Sequence, residues 1–115
     1  MRPSGAARSI RASAPVFAAL GDETRLQLVA RLCTGGPQSI ARLTEGADVT
    51  RQAVSKHLRV LEGVGLVRAG REGRDGRETL WEIEPRRLDD ARRALDLIGA
   101  QWDAAMGRLR AFVEE

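Results

Sequence analysis

Apolar residues recur at helical spacing in five stretches of the chain and alternate in only one pair of short segments. The sharpest stretch is TRQAVSKHLRVLEGVGLV at 50–67. There Val54, Leu58 and Leu61 stand at i, i+4 and i+7, which predicts a helix over 51–64 with one apolar stripe. Thr50 can cap its start, and Gly65 stands where a left-handed residue commonly ends a helix. Upstream, Asp22 can cap a helix over 23–34. Its residues Leu26, Leu28, Val29, Leu32 and Cys33 cover more than half the circumference, predicting burial on most sides. Pro15 suits a first helical position, so Val16, Phe17 and Leu20 form a short apolar helix that Gly21 ends. Residues 1–13 have no apolar period and read as a flexible arm. Gly35-Gly36-Pro37 breaks the central helix, and Ser39 caps a short helix over 40–45 with Ile40, Ala41 and Leu43 inward.

The alternating pair is 66–72 and 78–84, two strands around the glycine- and arginine-rich turn at 73–77. Trp81 and Ile83 share the face turned to the domain, with Glu82 and Glu84 opposite. After Pro85 the apolar residues Leu88, Ala91, Leu95, Ile98, Trp102, Ala105, Leu109 and Phe112 alternate spacings of three and four, and Leu97, Met106 and Val113 widen the stripe. A helix of about 28 residues is ~40 Å long, more than so small a domain can cover. A second copy is the expected cover. The competing expectation is that this helix folds back onto its own domain. Two short helices joined by a glycine-containing turn, the second polar on its outer face, form a helix-turn-helix with the hairpin as a wing.

Charge sharpens this picture. Of 115 residues, 19 are Lys or Arg and 16 are Asp or Glu, a net charge of +3. Position says more than the total: Arg51, Lys56, Arg59, Arg68, Arg71, Arg74 and Arg77 crowd one third of the chain, which suits a polyanionic partner. On the helix over 51–64, Gln52, Lys56 and Arg59 sit near the side opposite the apolar stripe, and Arg51 and Ser55 complete a polar face of Arg, Gln, Ser and Lys. These side chains hydrogen-bond phosphates and base edges. His57 lies beside the stripe and reads as a half-buried structural histidine rather than a base reader. Cys33, the single cysteine, excludes an intrachain disulfide and reads as a buried packing residue. No signal-peptide pattern or membrane-length apolar run stands out, so a cytoplasmic protein without a membrane partner is expected. No Ser/His/Asp grouping, phosphate-binding glycine loop or paired carboxylates point to an enzyme. One cysteine and one histidine do not make a transition-metal site, and neither metal nor cofactor is expected.

The phrases FAALGDETRLQLVARL at 17–32, SIARLTEGADVTRQAVSKHLRVLEGVGLVRAGREGR at 39–74, and the closing LWEIEP and QWDAAMGRLRAFVEE resemble the ArsR/SmtB family of bacterial winged-helix repressors. The resemblance runs through nearly everything from Pro15 onward. It implies a mainly α fold with a β-hairpin, a winged helix-turn-helix that is dimeric through its first and last helices. It also implies a two-fold symmetric operator in double-stranded DNA. Arg51, Gln52, Ser55 and Lys56 match the positions that enter the major groove, and Arg71, Arg74 and Arg77 fall in the wing. Phe17, Leu95, Ile98, Trp102, Leu109 and Phe112 are the expected homodimer interface. The expected organisation is an arm over 1–13, a DNA-binding domain over 14–85 and a dimerisation helix over 86–115. The helix over 40–45 lacks the cysteines, and the last helix the histidines, that metal sensors of the family carry. A member that senses no metal is implied, its effector unassigned. The competing function is a protein-interaction module that uses the helical surface without specific DNA binding.

Overall fold

Short polar side chains fix where the helices begin. Asp22, Ser39 and Thr50 each hold extended backbone and accept a hydrogen bond from the amide three residues on, those of Arg25, Arg42 and Ala53. The computed structural model describes residues 5–72 and 78–114. Its elements are α1 (Gly5–Leu20), α2 (Glu23–Gly35), α3 (Ile40–Thr44), α4 (Arg51–Gly63), β1 (Val67–Glu72), β2 (Thr79–Ile83) and α5 (Pro85–Glu114). The strands form one antiparallel pair, with Val67 opposite Ile83 and Ala69 opposite Trp81.

The core gathers one stripe from each element. Val16 and Ala19 of α1, Leu28, Val29 and Leu32 of α2, Leu43 of α3, and Val54, Leu58 and Leu61 of α4 are all buried. Leu66, Val67, Trp81 and Ala91 close it from the hairpin and α5. Gly65 takes φ +82 between α4 and β1, a left-handed turn that glycine adopts without a Cβ penalty.

The structure corrects the sequence reading in two places. The expected arm is helical from Gly5, and Pro15 lies inside α1 instead of opening it. Proline removes one amide donor and one helical bond. Packing outweighs that loss: Ser13, Val16 and Ala19 are buried, α1 lies along α5, and Arg87 Nη2 donates to the Ala12 carbonyl at 3.0 Å. Next, α2 is buried on one stripe only. Leu26 is 52% exposed and Cys33 is exposed, two turns apart on a side of α2 that the described elements leave open. Cys33 instead lines a groove of about 570 Å³ with Phe17, Leu20, Ile83, Leu88 and Leu95. Separately, α5 divides its stripe, in keeping with the expected second copy. Ala91 and Ala94 are buried against this chain, while Leu95, Ile98, Trp102, Leu109 and Phe112 stay exposed.

The buried Gln38 has no counterpart in the sequence reading. It pairs through its backbone with Trp81, Gln38 N donating to Trp81 O at 3.0 Å and Trp81 N to Gln38 O at 2.8 Å. Its side-chain amide donates to Arg31 O at 2.9 Å. The start of the helix-turn-helix is thereby tied to the hairpin.

Candidate nucleic-acid interface

Helix α4 separates its two faces cleanly. Val54, Leu58 and Leu61 have no exposed surface, which sinks one side of the helix into the core and fixes its rotation. Arg51, Gln52, Lys56 and Arg59 are exposed and Ser55 is half-buried. At 100° per residue these five side chains span an arc of about 140°. Three are cationic; Gln52 and Ser55 supply both donors and acceptors. No hydrogen bond or ion pair between described residues engages these five side chains. Such a face can offer charge to phosphates and paired hydrogen bonds to base edges.

Arginines of neighbouring elements brace the helix-turn-helix. Arg31 of α2 donates to the carbonyls of Leu43 and Arg42, fastening the end of α3. Arg87 of α5 donates through Nε to Val64 O at 3.0 Å, just past the end of α4, while its Nη2 reaches Ala12 of α1. Arg25 of α2 donates to Ala19 O at 2.7 Å and stands 3.4 Å from His57 Nδ1. Sequence reasoning missed all three arginines as braces. A brace is a matter of reach between elements, and periodicity carries no signal for it.

The wing divides its arginines. Arg68 donates to Glu82 at 2.9 Å and also to Glu84, and these partners, Glu82 first, raise its pKa. It is committed to the hairpin. Arg71 belongs to β1, its side chain outside the described residues, and Arg74 and Arg77 lie wholly outside them. Asp22 is pushed below its ordinary carboxyl value of 3.8, first by the Arg25 backbone N–H it accepts from and then, against the opposing effect of burial, by the Arg25 and His57 charges.

Of the expected interface residues, Leu95, Ile98, Trp102, Leu109 and Phe112 are exposed on α5, and Phe17 is half-buried on α1 beside the groove. Among the described residues no cluster of three or more His, Cys, Asp or Glu could hold a metal ion. No helix there is long and apolar enough to cross a membrane.

Comparison with known proteins gives this arrangement a family. A model described as a helix-turn-helix domain matches residues 20–69. An ArsR-like transcriptional regulator from Rhodococcus sp. superposes with a TM-score of 0.70 at 34% identity, covering 95% of this chain and 96% of that one. The uncharacterized HTH-type transcriptional regulator YuzN of Bacillus subtilis is 38% identical over 51% of this chain and 71% of its own length. The arsenical resistance operon repressor of the same organism is 37% identical over 44% of this chain and about half, 49%, of its own. The matches join the helix-turn-helix stretch to the fold of nearly the whole chain, and the chain belongs to the ArsR family of winged helix-turn-helix DNA-binding transcriptional regulators, which are not enzymes.

Proposed function

We propose that this regulator is a homodimeric repressor that binds a two-fold symmetric operator, with α4 in the major groove and the basic wing on flanking DNA. The carrying observation is the split surface of α4: a buried Val54/Leu58/Leu61 stripe holds the exposed Arg51, Gln52, Lys56 and Arg59 and the half-buried Ser55 at one fixed angle. Gln52 is the best base reader of the set, since its amide can donate and accept at an adenine edge. Lys56 and Arg59 supply phosphate attraction or guanine contacts, and Arg51 and Ser55 position the start of the helix. Arg71, Arg74 and Arg77 supply the wing's cationic side chains for phosphate contact, interleaved with Glu72, Asp75 and Glu78.

Dimerisation accounts for the apolar residues exposed on α5. Two copies joined along α5 and α1 present two copies of α4, and a duplex is read at half-sites about 34–36 Å apart by such pairs. Repression is the role named for the arsenical resistance relative, and occupying its operator would give this chain the same role.

The test is selection of duplexes from a random pool, then affinity measured for the recovered site and for unrelated DNA. The parent should recover a palindromic site and weaken steeply with salt. Gln52→Ala should lower affinity for that site about ten- to a hundredfold and for unrelated DNA little, as expected for a base contact. Lys56→Ala should weaken both. Equal binding by both variants and the parent would remove α4 as the reading surface.

A further inference from the structure

One guanidinium joins three helices beneath the reading surface. Arg25 Nε donates to Ala19 O at 2.7 Å in the last turn of α1, and its own backbone N–H is held by Asp22 Oδ1 at 3.0 Å. Its Nη1 stands 3.4 Å from Nδ1 of His57, in the middle of α4. Arginine carries donors and no acceptor, so this contact is a hydrogen bond only when His57 Nδ1 bears no proton. Neutral imidazole with its proton on Nε2 accepts it; imidazolium has no lone pair to offer and adds a second cation beside the first.

We infer that Arg25 and His57 form a proton-sensitive brace that positions the recognition helix, so that acidification releases α4 and weakens DNA binding. Arg25 is a positioning residue here, acting through α4. The inference rests on the reading of α4 given above, while its test separates the two. Among the described residues, the charged groups facing the ring are Arg25 and Asp22. Asp22 is already engaged as the cap of α2, and its second oxygen lies 4.0 Å from Arg25 Nη1. Of the other elements packed on α4, α3 carries Arg42 as its single charged residue, and Arg68 of β1 is bound to Glu82 and Glu84. The last turns of α1, 15–20, carry no charge.

The sign makes the inference testable. Protonating a histidine on a DNA-facing helix should ordinarily strengthen binding to a polyanion. The brace predicts the opposite. His57 is the chain's single histidine, so no second imidazole can supply the response.

The experiment measures affinity for the selected duplex at constant ionic strength from about pH 8 to about pH 5.5, the range in which imidazoles titrate. The parent should lose about tenfold on acidification, the size of one hydrogen bond to a charged group. His57→Gln keeps an acceptor that does not titrate; it should bind as the parent does at the upper pH and lose little at the lower. Arg25→Lys, with a single nitrogen where Ala19 and His57 each need a donor, should weaken binding at pH 8 and flatten the profile, with helix content unchanged by circular dichroism. A parent profile that is flat or rises on acidification, or a His57→Gln profile that matches the parent's, overturns the brace. Gln52→Ala is the separate control. Should it leave affinity untouched while the acid loss still vanishes in His57→Gln, the brace stands and the assigned reading face falls.

Discussion

Asp22 does two jobs with one carboxylate: it caps α2 through the Arg25 amide and lies against the charges of Arg25 and His57. Its pKa is lowered in the folded chain, so its contribution to stability is whole above the ordinary value of 3.8 and is lost as pH falls through the lower folded value. Asp22→Asn retains an acceptor at the cap and removes the charge. The variant should melt below the parent at neutral pH, and the gap should close only once the pH has fallen below the depressed folded value, where the parent's carboxylate is protonated as well. A gap of the same size at both pH values would mean that the charge contributes nothing. Thr50 and Ser39 cap without ionising, so α4 and α3 begin independently of pH.

Among the elements, the wing depends on a glycine in the ladder. Ala69 pairs with Trp81 and Arg71 with Leu80, leaving Gly70 as the extra residue of a bulge. A Cβ at this position would collide with the Glu82 side chain, whose carboxylate Arg68 holds. Gly70→Val should therefore displace Glu82, free Arg68 and change the twist of the hairpin, lowering stability by about 1 kcal/mol. Thermal unfolding checks this, and an unchanged midpoint would mean that the side chain moves aside without cost. Neighbouring Arg68 pairs are exposed and stabilise little by themselves; their consequence is where the wing points.

At the scale of the molecule, the 30-residue α5 is the outlier. Trp102 is 65% exposed and Phe112 76%, in an extended shape of 67 × 34 × 20 Å. An apolar line this long is costly in water and marks a surface meant to be covered. With a second copy as cover, Trp102→Glu places a charge in the seam. The mass by light scattering should fall from two chains to one, and the parent's melting temperature alone should rise with concentration. A parent that remains one chain at every concentration removes the seam from the interface.

The amino-acid sequence alone determined what is local: caps at Asp22, Ser39 and Thr50, the buried stripe of α4, the glycine turn at Gly65, and the hairpin with Trp81 inward. Each depends on residues within a few positions of one another, and periodicity records such relations directly. Tertiary packing decided the rest. Residues 5–13 join α1 because α5 lies beside them; Leu26 and Cys33 stay exposed because the described elements leave that side of α2 open, with Cys33 at a groove. Arg25, Arg31 and Arg87 are braces because carbonyls and a ring nitrogen from distant segments come within their reach. A long side chain has no periodicity of its own, and its partner is chosen only when the helices meet.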